Sequence, residues 1–310
     1  MIFTEIQKDK IISKWGENIY NRAVGIIDIY TEEWQLEKLK LIEHFSTSIL
    51  FTCLSEKYGQ CVLKIKCDNN YSLDSEICVL RSFNGRGYCR VYEFSSDDKI
   101  CLLERILPGD TLYNFNEISQ NERINFFGDL YERLYVSATE ISDLSMFPSY
   151  LNCLEKSEIV VTQRNDCQDI ISHIKKAKEI ILFVNSIYNR KILIHGDLHH
   201  RNILKNQNGG YTAIDPKGVA DNPVFDVSKF ILYEFGYQLA GKPIEEMLGF
   251  INLLSRRLHI PTETLTNCLY VEIAVEVFHR HIAVGKSIGE CEGHIENMTV
   301  AEKIMTECPK

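Results

Sequence analysis

Ten residues in the second half of this 310-residue chain concentrate its possible chemistry: His195-Gly196-Asp197-Leu198-His199-His200-Arg201-Asn202-Ile203-Leu204. Ala213-Ile214-Asp215-Pro216-Lys217 follows them. Asp197 and Asn202 stand five apart, and Asp215 lies thirteen beyond Asn202. An Asp-x4-Asn pair followed by another Asp is a spacing used in phosphoryl transfer. Apolar runs flank an Asn208-Gly209-Gly210 turn, so a hairpin there would let Asn202 and Asp215 face one spot. The charge of a triphosphate calls for Mg²⁺, a hard cation that takes carboxylate and amide oxygens; Asp215 and Asn202 offer both. An acceptor hydroxyl must be aimed at the γ-phosphorus and lose its proton, which suits Asp197 as a general base. The α- and β-phosphates need a grip. Lys64, in the run Cys61-Val62-Leu63-Lys64-Ile65-Lys66, can supply it if Glu76 at the start of the next helix orients it.

Taken singly, each residue has an ordinary explanation. Strand lysines are common, a first-turn Glu is favoured by the helix dipole, and Asp and Asn form turns. The joint order carries the reading. A metal-dependent hydrolase is a rival, with His195, Asp197, His199 and His200 as ligands. It wants further clustered ligands, yet among the other histidines only His279 and His281 are close in sequence. It also leaves Lys64, Asn202 and Asp215 idle. A catalytically dead nucleotide-binding module is a second rival, opposed by the presence of Lys64, Glu76, Asp197, Asn202 and Asp215 together.

Two kinds of segment must hold these parts. Residues 32–40 are charged and read as helical or capping. Residues 41–45, 49–55 and 61–66 read as three strands, with a turn at 56–60 and Lys64 beside Val62 and Lys66. Residues 74–83 have helical spacing and stop at Asn84-Gly85. Strands at 89–94 and 100–106 follow, and Pro108-Gly109-Asp110 breaks the pattern. Beyond it, apolar residues recur at helical spacing in four stretches, at 124–134, 170–188, 244–258 and 271–282. Residues 192–214 form a non-helical insert among them. The chain therefore reads as α+β, with a strand-rich nucleotide-binding lobe at 1–106 and a larger helical lobe at 107–310 that carries the loop and the acceptor site.

Glu272 and Glu276 lie four apart on the last of those helices. Such a like-charge pair costs roughly 0.2–0.5 kcal/mol unless compensated. A cationic acceptor could compensate it. The favoured reading is that Arg280, four beyond Glu276, pairs with it on a solvated face.

Composition narrows the class further. Hydrophobic residues make up 45% and charged residues 25%, enough for a sizeable core. A net charge of -9, from 43 acidic and 34 basic residues, argues against nucleic acid as a partner. The 11 cysteines form no Cys-x-x-Cys pair and sit singly in apolar runs, so they read as buried free thiols of a cytoplasmic protein. Met1-Ile2-Phe3-Thr4-Glu5 lacks the basic and apolar regions of a signal peptide. No window approaches the roughly 20 apolar residues of a membrane helix. Oligomeric state is not written in these features.

The run from His195 to Leu204, with Ile214-Asp215-Pro216-Lys217, resembles the signature of the streptomycin and hydroxyurea phosphotransferases, within the aminoglycoside-phosphotransferase-like kinases. Cys61-Val62-Leu63-Lys64, Asn84-Gly85-Arg86-Gly87 and Leu103-Glu104-Arg105-Ile106-Leu107-Pro108-Gly109-Asp110 are similar to further family segments, and the likeness runs from about residue 40 to about residue 285. The resemblance implies a protein-kinase-like two-lobe fold with a small antiparallel sheet and a helical lobe. It implies an ATP- and Mg²⁺-dependent kinase acting on a small hydroxyl-bearing substrate, either an antibiotic or an endogenous metabolite. Asp197 would be the base, and Asn202 and Asp215 the magnesium ligands. Lys64 and Glu76 would serve the phosphates, and the backbone at Glu104 and Ile106 the adenine. Asp226 would brace the loop, and His195 would order it. Two family-level departures stand out: Ser46-Thr47-Ser48 replaces a glycine-rich loop, and no Ala-Pro-Glu segment follows Asp215. Both argue against a protein substrate.

Overall fold

The computed structural model describes residues 2–43, 46–68, 72–114, 116–135 and 144–308. It divides into two compact units: Met1–Gly109 with Lys205–Lys217, and Asp110–Leu204 with Gly218–Lys310. The sequence reading kept residues 205–217 with the helices. They pack with the first unit because Ala213 N–H donates to Gly87 O (2.7 Å) and Cys89 N–H donates to Ala213 O (3.1 Å).

The first unit opens with helices α1 (Glu5–Trp15) and α2 (Glu17–Glu33), followed by strands β1 (Leu36–Ile42), β2 (Ser48–Ser55) and β3 (Gly59–Lys66). Helix α3 (Leu73–Phe83), strands β4 (Val91–Ser95) and β5 (Ile100–Glu104) and the short β6 (Pro108–Thr111) complete this part of the chain. Residues 32–40 are therefore not one helical or capping segment: α2 ends at Glu33 and β1 begins at Leu36. Pairing with β2, Leu36 opposite Ser55 and Leu41 opposite Phe51, wins over the local charge pattern. Of the strand expected at 41–45, residues 44–45 lie outside the described residues. Pro108-Gly109 does not break the chain into coil but sits within β6.

The sheet is antiparallel in the order β1-β2-β3-β5-β4, which puts β3 at its centre. Strand alternation sorts β3 by face. Cys61, Leu63 and Ile65 enter a core with Ile11, Ile26, Ile27 and Phe51. Lys64 faces the other way. Helix α1 starts where it does because Thr4 and Gln7 form a reciprocal capping box.

The second unit contains α4 (Gln120–Tyr135), α5 (Tyr150–Val161), α6 (Ile171–Tyr188) and β7 (Ile192–Ile194). The chain then forms the hairpin strands β8 (Ile203–Asn206) and β9 (Tyr211–Ala213), and returns as β10 (Val219–Asp221), which pairs antiparallel with β7. Helices α7 (Asp226–Glu234), α8 (Ile244–Leu258), α9 (Thr262–Phe278) and α10 (Glu292–Glu307) follow. Helix α9 is the hub. It packs against α5, α6, α7, α8 and α10, and is buried all round from Thr264 to Phe278. An apolar helix with no polar face is the signature of a core element. Among the described residues, no helix is long and apolar enough to cross a membrane.

Candidate active site

The first unit gathers Lys64, Glu76, Asp215 and Lys217. Lys64 Nζ on the central strand donates to both carboxylate oxygens of Glu76 (2.8 and 2.7 Å) and to Asp215 Oδ1 (2.6 Å). Lys217 Nζ donates to Asp215 Oδ2 (2.7 Å). The Lys64 and Glu76 side chains are 6% and 7% exposed, whereas Asp215 is 27% exposed. Burial opposes the charged form of Lys64, but Asp215 and Glu76 outweigh it and hold the ammonium well above its ordinary pKa. Burial would likewise raise Asp215, but Lys64 and Lys217 outweigh it and keep the carboxyl well below the usual range. Asp215 adopts the left-handed region (φ 57°). Asp tolerates that conformation better than most residues, and strain of this kind gathers at functional positions.

Glu104 ends β5 and is tied to Arg90: its Oε2 accepts from Arg90 N–H (3.0 Å) and its own N–H donates to Arg90 O (2.9 Å). Among the described residues, the backbone of Ile106 makes no hydrogen bond.

The second unit holds Asp197 and Asn202 in the loop after β7. Asp226, the first residue of α7, braces that loop. Its Oδ2 accepts from His195 N–H (2.8 Å), its Oδ1 from Gly196 N–H (2.7 Å), and Tyr135 OH donates to it as well. Gly196 has φ 76°, where a side chain would be strained. Asp226 is buried without a cation among these partners. Burial pushes its carboxyl up to about 7, against the hydrogen bonds from Tyr135, Gly196 and His195.

Asn202 Nδ2 donates to the carbonyl of Asp197 (3.0 Å), which closes the loop. The three loop histidines go to separate tasks. His195 Nδ1 accepts from Asp197 N–H (3.2 Å). His199 stacks on Tyr233 with centroids 4.0 Å apart. His200 meets Glu234 Oε2 (3.0 Å), which Arg123 also holds (3.1 Å). Among the described residues, no group of three His, Cys, Asp or Glu side chains could hold a metal ion, so the hydrolase ligand set is not assembled.

Sequence reasoning missed Lys229. It lies three residues beyond Asp226, hence on the same face of α7, and its Nζ is 3.8 Å from Asp197 Oδ1. It also lies 3.0 Å from Glu272 Oε1 and 3.2 Å from Glu276 Oε2. Arg280 pairs with the same two carboxylates, at 2.6 Å from Glu272. The pairing of Arg280 with Glu276 was expected, but the solvated face was not found: Glu272 is 1% and Glu276 8% exposed. The reason is α9's place at the centre of the unit. Burial would raise Glu276, but Lys229 and Arg280 outweigh it and hold it well below the carboxylate range.

Comparison with known proteins completes the picture. A profile described as aminoglycoside/hydroxyurea antibiotic resistance kinase matches residues 33–259. The hydroxyurea phosphotransferase of Kitasatospora aureofaciens is 21% identical over 270 residues, covering 82% of this chain and 75% of that protein. Choline kinase LicA from Streptococcus pneumoniae is similar in structure with a TM-score of 0.65 at 14% identity, over 91% of this chain and 98% of that one. Aminoglycoside phosphotransferase APH(4)-Ia is similar with a TM-score of 0.61 at 12% identity, over 93% of this chain and 100% of that one. The fold is the protein-kinase-like α+β fold that the sequence predicts, a sheet-containing unit and a helical one. Since the profile spans most of the length, from the strands to the helices, the chain belongs to the aminoglycoside/hydroxyurea antibiotic resistance kinases and is a phosphotransferase acting on a hydroxyl group.

Proposed function

We propose that this enzyme moves the γ-phosphoryl of ATP, with Mg²⁺, onto a hydroxyl of a small antibiotic of the aminoglycoside (streptomycin-like) or hydroxyurea kind. The observation that carries the reading is the Lys64–Glu76–Asp215 cluster, whose contacts run from 2.6 to 2.8 Å. Glu76 orients Lys64 toward the α- and β-phosphates, and the unpaired backbone of Ile106, next to Glu104 and Arg105, receives the adenine. The donor set fits a hard cation. Asp215 offers a carboxylate and Asn202 an amide oxygen, its nitrogen being used within the loop. When bound, Mg²⁺ neutralises charge on the phosphates. The acceptor oxygen attacks the γ-phosphorus, the bond to the bridging oxygen breaks, ADP leaves, and the acceptor's proton passes to the carboxylate of Asp197.

Solved structural neighbours support the nucleotide part of this reading. Choline kinase LicA has been solved with AMP, and variants of APH(4)-Ia with ADP or AMP-PNP together with hygromycin B. A second reading is a kinase for an endogenous hydroxylated metabolite. The likeness to choline kinases is the observation that favours testing it. The 11 free thiols fit a reducing, cytoplasmic setting. The test is ATP consumption by purified protein with Mg²⁺ against streptomycin, other aminoglycosides, hydroxyurea, choline and simple sugars, beside Asp197→Ala. Turnover on one acceptor that falls by about 10²–10⁴-fold in Asp197→Ala supports the reading. Full turnover in Asp197→Ala removes the base from this role. Nucleotide binding without turnover on any acceptor leaves a dead binding module.

A further inference from the structure

We propose that His199 is a second catalytic residue beside Asp197: its Nε2–H holds the acceptor oxygen while Asp197 takes that oxygen's proton. The inference rests on the kinase reading above and deepens it, by giving the attacking oxygen a donor as well as a base.

Three observations carry it. The first fixes the proton. Nδ1 of His199 accepts the N–H of Arg201 (3.2 Å), as the cap of the short turn His200–Asn202. A ring nitrogen that accepts carries no proton, so the neutral imidazole bears its proton on Nε2. The second fixes the ring. His199 stacks on Tyr233 with centroids 4.0 Å apart and planes 12° from parallel, and its side chain is 9% exposed. Tyr233 lies four residues beyond Lys229 and seven beyond Asp226, so one face of α7 carries all three. That face ties the loop at two points: Asp226 takes the N–H groups of His195 and Gly196, and Tyr233 backs the ring of His199. The third is the distance. His199 Nε2 lies 3.8 Å from Asp197 Oδ2. That is too long for a direct hydrogen bond and shorter than two hydrogen bonds of about 2.8 Å end to end, so one oxygen can touch both groups.

An acceptor hydroxyl placed there has each of its parts engaged. Its O–H donates to Asp197 Oδ2, one lone pair accepts from His199 Nε2–H, and the other lone pair is left for the γ-phosphorus. As the oxygen–phosphorus bond forms, the proton passes to Asp197 and the bond from the γ-phosphorus to the bridging oxygen breaks. His199 keeps its own proton throughout, as a donor and not a second base. A donor and an acceptor together orient a hydroxyl more closely than one carboxylate does, and orientation lowers the barrier.

A purely structural His199 would only cap the turn and pack on Tyr233, and two substitutions separate the roles. Asn carries a side-chain oxygen near the place of Nδ1 and can cap, but it is too short to reach the place of Nε2. Gln carries an amide N–H near the place of Nε2 but lacks the short capping oxygen. Wild type, His199→Asn and His199→Gln are each given ATP, Mg²⁺ and, in turn, hydroxyurea, streptomycin and choline, and thermal melts check folding. Where wild type uses none of the three, hydrolysis of ATP is read, with water as the acceptor. His199→Asn is expected to fold and to keep its KM for ATP. Its kcat/KM for the acceptor, or its rate of hydrolysis, should fall by about 10–100-fold, the range of one hydrogen bond to a group that is gaining charge. His199→Gln is expected to keep most of the wild-type rate. Full activity in His199→Asn, or a folded and inactive His199→Gln, overturns the inference and leaves the kinase intact. Absence of every ATP-dependent turnover in wild type removes the kinase reading and the inference together.

Discussion

The molecule contains two buried clusters of the same composition. Each has two cations and two carboxylates: Lys64, Lys217, Glu76 and Asp215 in the sheet unit, and Lys229, Arg280, Glu272 and Glu276 in the helical unit. Balance is what lets either exist, because an unpaired charge would be costly to bury. They differ in openness and assembly. The first is drawn from β3, α3 and the segment after β9, and its Asp215 is 27% exposed. The second comes from α7 and from α9 with its C-terminal flank, and its Glu272 side chain is fully buried. Under the proposed function, phosphate oxygens would replace a carboxylate on Lys64 in the first cluster. In the second, the Lys229 ammonium lies 3.8 Å from Asp197 Oδ1. Equal charge counts thus surround a partly exposed carboxylate in one place and a fully buried one in the other.

The sharpest way to break this contrast is Lys64→Met. It strands Glu76 and leaves Asp215 with Lys217 alone, and removing one partner of a buried pair typically costs about 3–5 kcal/mol. Urea unfolding should register that loss, and the protein that remains folded should turn over ATP about 10²-fold or more slowly at fixed acceptor. Near-normal turnover with a raised KM for ATP alone would reduce Lys64 to a binding contact.

Asp226 sharpens the contrast, since it is a buried carboxylate held, among the described residues, by a hydroxyl and two N–H groups and by no cation. Burial pushes its carboxyl up to about 7, so it should titrate near neutrality. In the folded chain it stays protonated up to about pH 7, and in the unfolded chain only up to about 3.9. The folded state therefore binds more proton between those values. Its contribution to stability is full below about pH 4 and is lost as pH rises through about 7. The stability advantage of wild type over Asp226→Asn should accordingly shrink by about 1–3 kcal/mol between about pH 5 and pH 8, measured by denaturant titration. A pH-independent difference would mean that the N–H donors keep Asp226 ionised throughout.

The smallest effect belongs to an open ion pair. Arg257 on α8 meets Asp129 and Glu132 on α4, whose side chains are 66% and 52% exposed. Solvent screens such pairs, so Arg257→Gln should cost about 1 kcal/mol or less in a thermal or urea melt. A larger loss would show that exposure, not charge balance, is the wrong axis for comparing the two clusters.

Much of the sheet unit was legible in the chain. Lys64 on the third strand, Glu76 in the first turn of the next helix and Asp215 after a hairpin are local placements, set by alternation, capping and turn residues. The helices α1 and α2 went unread, although Thr4 and Gln7 stand at capping-box spacing and Gly16, with φ 87°, separates the two. Their apolar positions are diluted by charge, and only packing on the sheet core makes them one-sided. Residues 36–40 were misread for a related reason. Glu37, Lys38 and Lys40 are exposed on a strand whose identity comes from its partner β2.

The sequence by itself determined which groups could do chemistry and in what order along the chain, because the loop, the hairpin and the strand are short-range structures written in neighbouring residues. Tertiary structure decided which charges meet. Glu272 and Glu276 read as a surface pair, since spacing along one helix says nothing of what surrounds it. Five helices packed around α9 buried them, and that burial brought in Lys229 from α7. The ammonium beside Asp197 is a product of that packing, and no local pattern in the sequence announces it.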